Sequence, residues 1–276
     1  YSLYEWYNPK YLNDFEQYRD THMYPQIKDL VDIYRPDILW VDGEWDHTWN
    51  EWKSTEILHW LYNDSKAKNN IIVNDRWGKD TRGKHGDFYT SEYGKGYEQM
   101  IHRKPWEECR GMGGSFGYNR NENLNDYLTS KQLVELLIST VSKGGNLLLN
   151  IGPRADGTIP VIMQQRLADI GKWLTVNGES IYDSKPWLNG NANNSPFLFF
   201  TQREGHLYVL TTKWPEKNIV VDNLNEKPSK IELLGYNGNI SFSYYNHKLK
   251  INMPALSPST DLPPGAWVFK VEQALK

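Results

Sequence analysis

The sequence predicts an α/β region followed by a small antiparallel β-sandwich, and three observations support this. Short apolar or β-rich runs recur through the first part of the chain. Helical spacing of apolar residues fills several of the gaps between them. From Lys185 onward that pattern gives way to short alternating strands at hairpin spacing.

The β-rich runs are Ser2 to Trp6, Asp37 to Val41, Ile71 to Asn74, Asp87 to Thr90 and Leu147 to Ile151. Pro25 suits a first helical position, Ile27, Leu30, Val31 and Tyr34 follow at helical spacing, and Pro36 ends the segment, so residues 25–41 read as helix then strand. Ser54 to Asn63 is a second predicted helix. Thr129 and Gln132 form a capping box ahead of Leu133, Leu136, Leu137, Thr140 and Val141, which Gly144 closes. A last helix starts at Pro160, carries Leu167, Ile170 and Leu174 on one face, and stops at Gly178. Strands alternating with helices in this way argue for a parallel sheet or barrel. Five strand units are too few for an eight-stranded barrel of ~250 residues, so a barrel would lack roughly three units. The opening Tyr1-Ser2-Leu3-Tyr4-Glu5-Trp6 has no initiator Met and reads as a strand without a lead-in, as though the chain were entered midway.

Asn189 to Pro196 is a polar linker, and the domain boundary is expected at 187/188, giving an α/β region 1–187 and a β-domain 188–276. The β-domain strands are expected at Phe197 to Gln202, His206 to Thr212, Asn218 to Val221, Lys230 to Leu234, Ser241 to Tyr245, Lys248 to Asn252 and Ala266 to Val271.

Composition narrows the function. A net charge of −3 over 276 residues gives no reason to expect nucleic acid or an anionic membrane as partner. No run approaches the ~20 apolar residues of a membrane span. Cys109 is the single cysteine, which rules out an intrachain disulfide and disfavours a thiolate metal site. The seven histidines are scattered, with no i, i+4 pair, so no metal or other cofactor is expected. Gly111 to Gly114 and Gly144-Gly145 lack the immediately following helix that a phosphate loop needs. The 12 Trp and 18 Tyr suit either a large aromatic core or a surface that stacks on sugar rings.

Carboxylates gather at consecutive strand ends: Glu5, Asp42 with Glu44, Asp75 and Glu92. In a parallel barrel such ends share one mouth, where two carboxylates can divide acid and nucleophile work as in glycoside hydrolysis. Trp40, Trp45, Trp77, Phe88, Tyr89 and Tyr93 flank them, and Arg76 adds a guanidinium able to hold a carboxylate or bind hydroxyls. The ordinary alternatives are solvated or capping carboxylates, a bridging Asp75–Arg76 pair, and aromatic residues filling the core.

Five segments carry a resemblance across nearly the whole chain: Tyr1 to Trp6, Leu39 to Trp45, Val73 to Gly78, Ser115-Phe116-Gly117-Tyr118-Asn119 and Gly144 to Pro153. In them the sequence resembles the α-L-fucosidases of glycoside hydrolase family 29. The resemblance implies a partial (β/α)8-like barrel, comprising about the last five strand units, and a retaining exo-glycosidase acting on terminal α-L-fucose of fucosylated glycans. It implies Asp42 as nucleophile and Glu92, in Asp87-Phe88-Tyr89-Thr90-Ser91-Glu92-Tyr93, as acid/base, with Glu107 of Pro105-Trp106-Glu107 as the rival. Trp40 and Phe116 would pack on the apolar face and C5 methyl of fucose, Arg76 would bond near the nucleophile, and Glu44 would support Asp42 or line the rim. Retention requires the catalytic carboxyls ~5–5.5 Å apart.

Family members carry earlier barrel strands whose histidines and a Glu bind the fucose hydroxyls. Isolated residues 1–276 are therefore expected to have impaired activity unless those strands arrive as a separate chain. A non-catalytic fucose-binding protein and a purely structural domain are the competing readings. Extracellular, periplasmic and lysosomal placement all stay open, as do oligomeric state, linkage preference and the use of the sequons at Asn63, Asn193 and Asn239.

Overall fold

A computed structural model describes residues 14–94, 104–189, 195–257, 259–260 and 262–275. Glu5 and the expected strand Ser2 to Trp6 lie outside the described residues. The chain divides into two compact units, Tyr1–Glu107 and Glu108–Lys276.

Among the described residues, the first unit opens with a helix that starts earlier than the sequence suggests. Asp14 accepts from the Gln17 N–H (2.9 Å) and caps α1, Phe15–Tyr18. The helix widens through a π turn, Arg19–Met23, and continues as α2, Tyr24–Tyr34. Pro25 therefore sits inside a continuous helix. The wide turn falls just before it, where its missing N–H and its ring would break a regular ladder. Arg35, at φ 48°, ends α2 by donating its N–H to the Val31 carbonyl (2.9 Å).

Strand β1, Ile38–Leu39, pairs in parallel with β2, Ile72–Val73, with α3, Ser54–Asn63, in the connection between them. Leu39 and Val73 turn inward onto Val31, Ile57, Leu61, Ala67 and Ile71. Their alternates Ile38 and Ile72 are 53% and 42% exposed. Strand β3 is Tyr89–Glu92, and the chain passes from the first unit to the second within β4, Trp106–Gly111. The sequence reading missed β4 because Glu107, Glu108 and Arg110 interrupt any apolar run.

In the second unit, α4 (Ser130–Ser142) carries the predicted Thr129/Gln132 capping box, and Gly144, at φ 81°, turns the chain into β5 (Gly145–Asn150). Helix α5, Val161–Asn177, buries Met163, Trp173 and Asn177, while the expected core residue Leu167 is 40% exposed. Ile170 and Leu174 of the predicted face are partly buried against the core, where Trp173 is the largest buried side chain of the helix.

Strands β6 (Lys185–Pro186), β7 (Leu198–Arg203), β8 (His206–Thr211), β10 (Ile231–Leu233) and β13 (Trp267–Val271) form an antiparallel sheet in the order β10-β13-β8-β7-β6. A second sheet has the order β11-β12-β9, from Phe242–Tyr245, Lys248–Asn252 and Asn218–Val221. Phe200, Leu207, Val209, Phe269 and Val271 of one sheet share a core with Ile219, Val221, Leu249 and Ile251 of the other, which makes a sandwich. Tyr208, Leu210 and Val268, on the opposite face of the larger sheet, pack on Val134, Ile138 and Trp173 of α4 and α5. The Trp173 indole N–H donates to the Ala266 carbonyl (2.9 Å).

Candidate active site

The loops after β1 and β2 are tied together before they diverge. The Asn74 side chain takes the place of a further ladder residue: its Nδ2 donates to the Val41 carbonyl (2.7 Å), and its Oδ1 accepts from the Val41 N–H (3.4 Å). Asp42 follows at once, and Gly43, at φ 93°, turns the chain away in a conformation that glycine adopts without strain.

Behind Asp42 lies a relay of buried polar groups. Asp75 is fully buried and accepts from the Thr90 N–H (3.0 Å), the Thr90 hydroxyl (2.7 Å) and the Gly83 N–H (2.8 Å). Thr90 Oγ1 in turn accepts from Arg76 Nε (2.9 Å). The Arg76 guanidinium, also buried, donates from Nη1 to Asp42 Oδ1 (2.9 Å) and places Nη2 3.5 Å from Glu92 Oε2. It lies 4.5 Å from the Trp40 ring centroid, a cation–π contact that fixes the plane of the fork. Two strand-end carboxylates thus meet different nitrogens of one guanidinium.

Trp40 also donates its indole N–H to Glu107 Oε1 (2.9 Å). Burial holds the Glu107 carboxyl above the usual carboxylate range, and the Trp40 bond and the Arg76 charge oppose that shift only in part. Glu44 is 4% exposed and its Oε1 lies 2.8 Å from Arg82 Nε. It is therefore a buried ion-pair partner, not a rim residue. Arg82 Nη2 lies 3.7 Å from Glu92 Oε2.

A cavity of about 260 Å³ is lined by Asp42, Glu44 and Arg76 together with Tyr18, Tyr24, Ile27, Trp40, Trp52 and Trp77. Polar groups converging in an aromatic cleft are characteristic of small-ligand sites. Glu92 is not among the lining residues, and its side chain is 38% exposed. Asp42, Glu92, Arg76, Trp40, Glu107 and Glu44 therefore gather within the first unit. Phe116 belongs to the second unit, where it is 37% exposed and its carbonyl accepts from Asn150 Nδ2 (2.7 Å).

Sequence reasoning missed Thr90 and Arg82. Thr90 stood inside the quoted Asp87-to-Tyr93 motif, whereas Arg82 lies in the polar stretch Lys79 to His85, which offers no signal. Among the described residues, no group of three or more His, Cys, Asp or Glu is placed to hold a metal ion.

A family model of α-L-fucosidase matches residues 1–179, and one of the α-L-fucosidase C-terminal domain matches residues 190–272. The chain belongs to the α-L-fucosidase family. It is 38% identical to the α-L-fucosidase of Dictyostelium discoideum over 98% of this chain and 62% of that relative. It is also 38% identical to the human tissue α-L-fucosidase, over 98% of this chain and 60% of the relative. The fucosidase-family chain thus spans about three-fifths of the length of the curated relatives it matches. The Thermotoga maritima α-fucosidase in complex with a mechanism-based inhibitor superposes with a TM-score of 0.73 at 34% identity, over 94% of this chain and 58% of that one. The α-L-fucosidase from Bacteroides thetaiotaomicron gives a TM-score of 0.78 at 21% identity, over 94% and 60%, a likeness of fold. Among the described residues, no helix is long and apolar enough to cross a membrane.

Proposed function

We propose that this fucosidase-family chain carries the catalytic pair of a retaining α-L-fucosidase that releases terminal fucose from fucosylated glycans. One observation carries the reading: Asp42 and Glu92 face separate nitrogens of the single buried Arg76 guanidinium. Two carboxylates that contact one guanidinium belong to one site, which supports their working as a pair, and the retaining course is the part of the reading that the azide products below test.

In the first step an Asp42 oxygen bonds to the anomeric carbon as the glycosidic C–O bond breaks. The bonding pair leaves on the aglycone oxygen, which takes the Glu92 proton. In the second step water attacks the same carbon, gives its proton to Glu92, and frees the Asp42 carboxylate with fucose. Arg76 holds Asp42 in line, and Trp40 offers a ring face to the sugar. Phe116 would add a second apolar contact to fucose. Glu107, with its raised pKa and proximity to Trp40, is the alternative acid. Its Oε1 already accepts from the indole, which favours Glu92.

The finer architecture is part of the same reading: a partial (β/α)8-like barrel over residues 1–187 and a β-domain over residues 188–276. In support, a parallel pair is normally covered on both faces, yet Ile38 and Ile72 are half-exposed on one side. Strands supplied to that face, in this chain or by another, would complete the sugar pocket.

The test is hydrolysis of an aryl α-L-fucoside by the wild type and by Asp42→Ala and Glu92→Ala. Asp42→Ala should cost on the order of 10⁴-fold in kcat or more. Azide should rescue Glu92→Ala with retention, giving α-fucosyl azide, and Asp42→Ala with inversion, giving the β-anomer. Turnover undiminished in Asp42→Ala would overturn the assignment, and fucose binding without any turnover would favour a sugar-binding module.

A further inference from the structure

We infer that Arg82 is a positioning residue for Glu92, anchored from behind by the buried Glu44. The inference rests on the reading of Glu92 as acid/base given above. Glu44 follows Asp42 by two residues, yet its carboxylate turns into the protein, where it is 4% exposed. A carboxylate so buried is costly unless paired. Its partner is Arg82, whose Nε lies 2.8 Å from Glu44 Oε1 and whose Nη2 reaches to 3.7 Å from Glu92 Oε2. The Arg82 side chain is 34% exposed and that of Glu44 only 3%, so the fixed end of the pair is Glu44 and the reaching end is the guanidinium.

Glu92 itself is 38% exposed and meets Arg76 Nη2 at 3.5 Å, a distance that allows movement. A general acid must hold its proton at one point, on the aglycone oxygen, while the bond breaks. Arg76 cannot enforce this alone, because its Nη1 is engaged by Asp42 and its Nε by Thr90. Arg82 adds a second charge contact to the same oxygen, and the two guanidiniums together confine Glu92 Oε2 where one would not. The Asp42-Gly43-Glu44 turn thus holds both carboxylates of the proposed reaction, Asp42 directly and Glu92 through Arg82.

Arg82→Met, Arg82→Lys and Glu44→Gln, compared with wild type and Glu92→Gln, test this. The substrates are a nitrophenyl fucoside, whose leaving group departs with little help, and a phenyl fucoside, which needs a proton. Arg82→Met is expected to lose ~10-fold or more on the phenyl substrate relative to the nitrophenyl one, part of the ~10²–10⁴-fold that acid catalysis contributes. Arg82→Lys should recover part of that ratio, and Glu44→Gln should resemble Arg82→Met. Equal losses on both substrates would mean a merely structural role and overturn the inference. A Glu92→Gln variant without leaving-group dependence would instead overturn the acid/base reading. Crystal structures of wild type and Arg82→Met decide independently of turnover: the Glu92 carboxylate should leave its wild-type position, and an unmoved carboxylate would refute the inference.

Discussion

Strand β8 and the pair β1–β2 bury apolar residues in different ways. In β8 the consecutive residues Leu207, Tyr208, Val209, Leu210 and Thr211 are all buried, because the sandwich core covers one face of the sheet and α4 with α5 covers the other. In β1–β2 only Leu39 and Val73 are buried, and Ile38 and Ile72 stand half-open. What surrounds the ends of the latter pair is polar: Asn74, Asp75, Thr90 and Arg76, each buried and hydrogen-bonded. Apolar burial stabilises the second unit, whereas directional bonds order the candidate site in the first. Burial is tolerant of small shifts in geometry, but a hydrogen-bonded relay fails when one member is lost.

Asp42→Ala should separate the two regimes most widely. We expect the loss of about 10⁴-fold or more in kcat with only a moderate fall in Tm, because the buried Arg76 loses its Nη1 partner but keeps Thr90 and the Trp40 ring. A large fall in Tm would show that the site and the fold around it are not separable. Phe269→Ala should do the reverse: the ring is fully buried between the two sheets, and its removal should cost about 3–5 kcal/mol in urea unfolding. A cost under about 1 kcal/mol would break the comparison.

Thr90→Val keeps the shape but removes the hydroxyl that donates to Asp75 and accepts from Arg76. About 1–3 kcal/mol of stability should be lost, because buried polar atoms go unpaired, and kcat should fall more than KM rises. Unchanged kcat would mean that Arg76 is oriented without Thr90. The smallest effect is expected for Glu107→Gln. Because burial raises the folded-state pKa of Glu107, the folded state holds its proton to higher pH than the unfolded chain does. That contribution to stability is complete below the unfolded value near ~4.3 and is lost as pH rises through the folded one. The wild type should therefore lose stability relative to Glu107→Gln over that interval. Parallel urea midpoints from pH 4 to 7 would contradict it.

Helix ends were legible in the sequence where a local rule sets them. The Thr129/Gln132 box, Gly144, Pro160 and Gly178 bracket α4 and α5 as expected, and Ser54–Asn63 matches its predicted bounds. Strands Asn218–Val221 and Lys248–Asn252 also match, since each alternates with one face buried. The start of the first helix was not legible, because a π turn absorbs Pro25 and only the packed helix reveals it. Nor was Trp106–Gly111, whose Glu108 is buried at 3% exposure against the usual behaviour of charge.

For the site, Asp42 and Asp75 could be read from the chain alone as carboxylates beyond strand ends, because a short apolar run that gives way to Asp states where a strand stops. The sequence also carried the family, through motifs spread along the chain. Packing brought one guanidinium to face both Asp42 and Glu92, aimed it through Thr90, and buried Glu44 against Arg82. Those contacts join residues far apart in the chain, and their pairing follows from the register of the parallel strands and the burial that makes an unpaired charge costly. Composition and spacing encode neither.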